Sequence, residues 1–185
     1  MSIEEFNRLI RLGLCYTTAE DVLKGKLDET FEVDQAQERK KVHTWCRGRK
    51  NIPVALEALW DLEPSRFYLV FDGDDPKDHN PDDFSVIQAE LLDVHPKLTY
   101  ISGRDKDPWH RQYKSSSCNT AYRWVNGRPV TPPLICDYGA QIHIEGGMHR
   151  YHLAHHYGAK EMPFLVREEK LPNVLALLPS AKVLK

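Results

Sequence analysis

The chain has 185 residues, which is enough for one domain or for one domain with a sizeable extension. Hydrophobic residues make up 41% and charged residues 28%, as in an ordinary soluble globular protein. The formal net charge of -2 excludes a global basic excess, so any surface that binds nucleic acid must be local.

The sequence also lacks the apolar segments that direct a chain to a membrane. No apolar run approaches the ~20 residues that span a bilayer, so no membrane span is predicted. The first residues, MSIEEFNRLIRLGL, lack the basic flank and the continuous apolar stretch of a secretory signal. The sequence therefore predicts a cytoplasmic protein.

The first part of the chain carries helical patterns. Apolar residues at helical spacing predict a first helix over residues 3–14, and a Thr cap with a Gly stop predicts a short helix over 18–23. Further helices are predicted over 35–45 and, from a Pro start and an apolar stripe, over 52–62. We therefore predict a mostly helical N-terminal region, residues 1–64, packed on the core.

From residue 65 to 185 strands and helices alternate without a regular βαβ rhythm, which predicts a mixed α+β domain. Strands are predicted, in chain order, at RFYLVFDG (66–73), KLTYISG (97–103), RPVTPPLICD (128–137), QIHIE (141–145) and EMPFLVRE (161–168). Helices are predicted at DDFSVIQAELLDV (82–94), at SSSCNTAYRWVNG (115–127), and from GGMHR to Gly158.

The turn from Glu145 to Arg150 joins a predicted strand to a predicted helix. The first N–H groups of a helix have no internal partner and carry partial positive charge, and glycine allows a ligand to approach the backbone. Together they favour an anion site, best suited to a phosphate, to which Arg150 adds a forked donor and His149 a proton-transfer group. The alternative is that Gly146 and Gly147 only turn the chain and that Arg150 makes a surface salt bridge.

The segment PPLICDYGAQIHIEGGMHRYHLAHHYGAKEMPFLV resembles the signature of the ParB/sulfiredoxin superfamily. The matching features, in chain order, are Pro132 and Pro133, the strand to Glu145, Gly147-Met148-His149-Arg150, Tyr151, a helix, Gly158, and Met162-Pro163. The resemblance implies a ParB/sulfiredoxin-like mixed sheet with helices over 65–185, which binds ATP or CTP phosphates at the turn.

Two departures narrow what the resemblance implies. Sulfiredoxins have a cysteine where this chain has Met148, so sulfinic acid reduction is not expected. ParB partition proteins carry a helix-turn-helix domain after this module, and the segment after Val166 is too short for one. A centromere-binding partition factor is therefore not expected either.

As a whole, the chain looks most like the plasmid fertility inhibition factors of the Osa/FiwA type. That resemblance implies ATPase and DNase activity and a block on DNA transfer through a conjugation-type (type IV) secretion system. Its expected partners are the transferred DNA strand and a relaxase or coupling or secretion-system protein. Two alternatives stay open: a non-catalytic nucleotide-binding regulator of a secretion or coupling protein, and a small-molecule kinase of the same fold.

The expected cofactors are ATP and Mg²⁺ or another divalent cation. We expect ATP to lie on Gly146, Gly147, Met148 and His149, with Arg150 on the outer phosphate oxygens and Lys114 as a further contact. Glu145 is the expected metal ligand or water-orienting group. The expected catalytic residues are thus Glu145, His149 and Arg150, with His149 in the acid–base role.

Three other patterns bear on function. A zinc site is an alternative because His152 and His156 lie four residues apart, although no HExxH glutamate lies between them. The acidic loop FDGDDPKDHNPDD offers a weak magnesium site through Asp72 or Asp74. The basic segment ERKKVHTWCRGRK predicts contact with DNA phosphates through Arg39, Lys40, Lys41, Arg47, Arg49 and Lys50.

Overall fold

The computed structural model describes residues 2–47, 52–71 and 79–184. The chain divides into two compact units, Met1–Ile52 and Pro53–Lys185. The segment 53–64, which the sequence placed in the helical region, therefore lies with the sheet. It does so because it pairs with the segment before the second strand: Val130 N donates to Leu59 O over 3.0 Å, and Val130 O accepts from Asp61 N over 2.9 Å.

The described part of the first unit consists of helices, as the sequence predicts. Its helices are α1 (Ile3–Leu12), α2 (Tyr16–Leu23) and α3 (Glu29–Cys46). The third helix begins earlier than predicted because Asp28 caps it, accepting from Phe31 N over 2.7 Å. A small apolar core holds these helices together, formed by Leu9, Leu14, Ala19, Val22 and Ala36.

The second unit is built on a mixed sheet. Its described strands are β1 (Phe84–Glu90), β2 (Leu134–Tyr138), β3 (Gln141–Gly146), β4 (Glu161–Arg167) and β5 (Lys182–Val183). They lie in the order β3-β2-β4-β1-β5; β2 runs parallel to β4, and the other neighbouring pairs are antiparallel. The predicted α+β class, with its helical N-terminal region, is confirmed.

Helices in the second unit connect these strands. They are α4 (Leu91–Val94), α5 (Lys114–Val125), α6 (Met148–His156) and α7 (Leu171–Leu177). The sequence predicts α5, α6, β3 and β4 within a few residues. Within the described ranges, no helix is both long and apolar enough to cross a membrane.

Four predicted elements are wrong. The predicted helix 82–94 is mostly strand β1, and the predicted strand 66–73 is the 3₁₀ helix Pro64–Val70 in its described part. The predicted helix 52–62 is irregular chain with a single bridge, from Trp60 to Val130, and the predicted strand 97–103 is mostly turn.

The turn from Glu145 to Arg150 joins edge strand β3 to helix α6. β3 ends at Gly146, and α6 begins two residues later. Leu153 and Ala154 of α6 are buried, and so is Tyr151, whose ring packs against Phe164 of β4 at 6.1 Å between centroids. This packing fixes the start of α6 relative to the sheet.

Candidate functional site

A cleft of about 580 Å³ lies where β3 ends and α6 begins. Its lining includes every residue of the predicted turn from Glu145 to Arg150, together with Val70, Phe71, Ser116, Asn119, Thr120 and Ile144. Residues 146 to 150 are partly exposed, so a ligand can reach their backbone. The structure therefore brings the predicted site residues of this turn together on one accessible wall.

The backbone of the turn has the form that an anion site requires. Gly147 is the N-cap of α6 and adopts the left-handed conformation, with φ 75° and ψ 20°. Gly147 O accepts from Arg150 N over 2.9 Å and from Tyr151 N over 3.2 Å. A left-handed residue followed by helical residues turns successive N–H groups toward one concave side, which is a backbone nest for anions.

Both glycines also serve the packing of the chain itself. A Cβ on Gly146 would lie 2.6 Å from Val70 O, and a Cβ on Gly147 would lie 2.9 Å from Pro133 Cα. Real Cβ atoms do not approach backbone so closely, so both positions require glycine. The tight connection proposed as the alternative is therefore real, and it coexists with an accessible cleft.

Arg150 ties the cleft wall to two other segments. Its Nη1 donates to Thr131 O over 2.9 Å, and its Nη2 donates to Leu69 O over 3.0 Å. These bonds join α6 to the 3₁₀ helix Pro64–Val70 and to the segment that leads into β2. Arg150 thus holds the turn in place and is one of the residues that line the cleft.

His149 makes a contact that the sequence did not predict. Arg104 Nη1 donates to His149 Nδ1 over 3.1 Å, since arginine has no acceptor atom. The Arg104 guanidinium lies 4.0 Å from the centre of the Tyr113 ring, and burial lowers its pKa. With Nδ1 accepting, the hydrogen of the neutral His149 ring is on Nε2, so this ring is a donor at Nε2.

Glu145 is the carboxylate of the turn. Its Oε2 lies 3.5 Å from Arg167 Nε. Burial, and then the hydrogen bond to Glu145, raise the pKa of Cys136 to about 12. Magnesium is commonly held by one or two carboxylates together with phosphate oxygens, so a single carboxylate at the cleft fits Mg²⁺ bound with a nucleotide.

The described residues give no support to a separate metal centre. In residues 2–47, 52–71 and 79–184, no group of three or more His, Cys, Asp or Glu side chains is placed to hold a metal ion. The predicted zinc pair is used otherwise: His152 Nε2 lies 2.8 Å from Ser102 O, and His156 faces Asp107 at 3.5 Å. Asp72 and Asp74 lie outside the described residues.

Helix α5 supplies the opposite wall of the cleft, which is not predicted from the sequence. Ser116, Asn119 and Thr120 line the cleft from this helix. Their i, i+3, i+4 spacing puts a hydroxyl, an amide and a second hydroxyl on one face, a signal that the sequence does contain. Lys114, predicted to contact the nucleotide, begins α5 and is not among the cleft-lining residues.

The predicted DNA-binding residues belong to the first unit. Arg39, Lys40 and Lys41 lie on α3 and are exposed, and Arg47 follows the helix and is exposed as well. Arg49 and Lys50 lie outside the described residues. An exposed basic surface agrees with contact to phosphates, and it is equally the ordinary solvated face of a helix.

Comparison with other proteins adds nothing to this geometry. No protein-family model, no curated protein and no solved structure matches the chain. Function must therefore be inferred from the cleft and from the residues that line it.

Proposed function

We propose that the chain binds the phosphates of ATP in the cleft at the β3–α6 turn, and that it acts as an ATP-hydrolysing nuclease. The observation that carries the proposal is the convergence at one cleft of a backbone nest, the N-terminus of α6, and the side chains of His149 and Arg150. Each is suited to negative charge, and together they match a polyphosphate.

The residues of the cleft divide the work of binding between them. The N–H groups of Gly147, Met148 and His149 hold phosphate oxygens, while Arg150 fixes the turn that presents them. Ser116 and Thr120, from the opposite wall, donate hydroxyl hydrogen bonds. Glu145 would hold Mg²⁺, and such a cation would supply positive charge to neutralise the charge that develops during phosphoryl transfer.

While Arg104 occupies Nδ1, His149 acts only as a donor, and it donates through Nε2 to an oxygen of the bound phosphate. His149 can act as a base only when its Nδ1 lone pair is free, so Arg104 must first release Nδ1. An incoming phosphate favours that release, because a guanidinium binds an anionic oxygen more strongly than a neutral ring nitrogen. Arg104 then lies on the phosphate, and His149 takes or returns the proton of the attacking or leaving oxygen.

The narrower role follows from the resemblance of the segment around the turn to the ParB/sulfiredoxin superfamily. We propose a plasmid fertility inhibition factor of the cytoplasm, which cleaves the transferred DNA strand and so blocks its export through a type IV secretion system. Its proposed partners are that strand and a relaxase or coupling protein. The exposed residues Arg39, Lys40, Lys41 and Arg47 are proposed to add phosphate contacts.

One observation favours a second candidate, a nucleotide-binding regulator without catalysis. Arg104 occupies His149 Nδ1, and Arg150 binds two backbone carbonyls. A site in which both groups stay so engaged binds a nucleotide without transferring its phosphate, and would act as a switch.

The test is to incubate the protein with Mg²⁺, ATP and end-labelled single-stranded DNA. DNA fragments and released phosphate are expected from the wild type, and His149→Ala should lower cleavage roughly 100- to 10,000-fold. The matched control is His156→Ala on the same helix, which should cleave normally, and circular dichroism checks that both variants fold. Nucleotide binding with neither product supports the regulator, whereas absence of nucleotide binding removes both candidates.

A further inference from the structure

A second cleft, of about 670 Å³, lies along the turn that follows α4. Its lining includes His95, Leu98, Thr99, Tyr100, Ile101, Gly103, Arg104, Asp105 and Tyr113. Leu98 pairs with Ile142 of β3, which anchors the turn to the sheet. Beyond that anchor, two large apolar side chains project into solvent: Tyr100 is 96% exposed and Ile101 72% exposed.

The second cleft is joined to the first by a chain of direct contacts. Arg104 lines the second cleft and donates to His149, which lines the first. Tyr113 lies beneath the Arg104 guanidinium and meets the His149 ring edge to face, with the ring centroids 6.1 Å apart. A ligand that contacts Arg104 from the second cleft is therefore separated from the proposed catalytic imidazole of His149 by the Arg104 side chain alone.

Arg104 is a cation for which the described part of the chain provides no paired carboxylate. It is partly buried, and none of the described carboxylates forms an ion pair with it. Burial lowers its pKa, as expected for a cation that has lost water without gaining a counter-charge. A guanidinium in this state binds an incoming phosphate oxygen with little competition from the protein.

The loop after the turn is basic although the whole chain is not. Residues 103–114 contain Arg104, Lys106, Arg111 and Lys114 against Asp105 and Asp107, four positive charges less two negative, while the chain has a net charge of -2. Asp107 is used within the loop, where its Oδ1 accepts from Trp109 N over 2.6 Å. Within the cleft itself Arg104 and Asp105 have opposite charges, so the basic excess comes from the rest of this loop, where Lys106 and Arg111 are exposed. Exposed cations of this kind favour a polyanion.

We propose that the Tyr100 surface, formed by Tyr100, Ile101 and Arg104 of the second cleft, binds single-stranded nucleic acid and leads one of its phosphodiesters to His149. The exposed loop cations Lys106 and Arg111 are proposed to contact further phosphates of the same strand. Exposed aromatic rings beside a basic groove are the common means of binding single strands, because unstacked bases lie on the rings while cations follow the backbone. A duplex keeps its bases stacked and cannot use Tyr100 in this way. The delivery of a phosphodiester to His149 rests on the proposed nuclease function, whereas the binding of the strand does not.

The decisive variant is Tyr100→Ala, whose side chain is so exposed that its removal should leave the fold unchanged. Binding is measured by fluorescence anisotropy with a labelled oligothymidine of roughly 16 nucleotides. Removing the ring on which one base stacks should weaken binding about tenfold. The matched control is Tyr138→Ala, another exposed tyrosine, at 69%, which lines neither cleft and should bind as the wild type does.

A second variant tests the role of the cations. Replacing Lys106 and Arg111 with Gln should make the fall of log affinity with log salt less steep, by about 0.7 for each phosphate of a single strand that the protein no longer neutralises. Hydrolysis of ATP without DNA should stay unchanged in this variant and in Tyr100→Ala.

The outcomes separate this inference from the proposed function. Equal affinity of Tyr100→Ala and the wild type, equal binding of duplex and single strand, or no binding of the oligonucleotide by the wild type would each overturn the inference. Any of these results together with ATP hydrolysis leaves ATP binding in the first cleft standing. Conversely, the wild type could bind the strand through Tyr100 and yet fail to bind ATP. That result would contradict the proposed function and would leave the inference about the Tyr100 surface standing.

Discussion

Gly146 and Gly147 are required for packing, and they lie in the turn that we propose binds phosphate. At both positions a Cβ would collide with the backbone, at Val70 and at Pro133. The same lack of side chains leaves the N–H groups of the turn accessible from the cleft. From the sequence, the tight connection and the phosphate site are competing interpretations; in the fold they are compatible.

At this scale we predict the cost of a single methyl group. Gly147→Ala should destabilise the protein for two reasons: a left-handed φ of +75° and a contact of 2.9 Å with Pro133 Cα. Gly158→Ala, at φ +81° with no described atom within 4 Å of its Cβ, has the conformational cost alone, about 1–2 kcal/mol. In urea unfolding, the free energy of unfolding should therefore be clearly lower for Gly147→Ala than for Gly158→Ala. Equal values for the two variants would contradict the packing role of Gly147.

Individual site residues are predicted from the sequence only where they are local. Glu145, His149 and Arg150 line the cleft because one strand-to-helix turn carries them all. The bond from Arg104 to His149 joins residues 45 positions apart. No local pattern encodes that bond, because it depends on how the loop after α4 packs against α6.

Whole elements are predicted well where the local pattern is clear, and poorly where it is mixed. β3 alternates, and its neighbour α6 begins after two glycines, so both are predicted. β1 lies between β4 and β5 and is buried over most of its length, and its sequence FSVIQAE neither alternates strictly nor forms a continuous apolar run. β4 is equally buried, but its apolar run MPFLV is itself the signal of a buried strand.

The 3₁₀ helix Pro64–Val70 is predicted as a strand for a different reason. Its sequence, PSRFYLV, is rich in aromatic and apolar residues that favour a strand. The chain nevertheless buries Phe67 and Val70, three residues apart, on one face. Residues at that spacing eclipse in a 3₁₀ helix, and tertiary burial therefore overrides the local propensity.

Arg150 links elements, and its replacement should have effects at that scale. Arg150→Lys keeps the charge but loses the fork that reaches both Leu69 O and Thr131 O. We expect a loss of about 1–3 kcal/mol in the free energy of unfolding, together with weaker ATP binding. Arg111→Lys, at an exposed position in the same unit, is the control and should unfold as the wild type does.

Two results would contradict this role for Arg150. An unchanged free energy of unfolding in Arg150→Lys would show that the two carbonyl bonds do not hold the turn. ATP binding by Arg150→Ala as tight as that of the wild type would remove Arg150 from the phosphate site.

At the scale of the whole molecule, the buried His152 couples stability to pH. Burial lowers the pKa of His152 to about 4, and burial also lowers the pKa of His155. In the unfolded chain a histidine takes up its proton near pH 6.5. Between those values the unfolded state binds more protons than the folded state, so stability falls as pH falls from about 6.5 to about 4.

We therefore expect the free energy of unfolding to drop by about 2 kcal/mol between pH 7 and pH 5 through His152 alone. Ordinary carboxylates titrate below this window and contribute little to the change. Urea unfolding at the two pH values measures it, and His152→Gln, which keeps an N–H donor for Ser102 O, should reduce the dependence. A wild-type stability equal at pH 7 and pH 5 would refute the assignment.

The most direct test of the account is an ATP titration of the ¹⁵N-labelled protein, followed through its backbone amide resonances. If the turn at the start of α6 binds the phosphates as proposed, the amides of Gly147, Met148 and His149 should shift together and saturate with one affinity. Inorganic triphosphate should reproduce those shifts, and adenosine should not. Saturating ATP that leaves these three resonances in place would contradict the central claim.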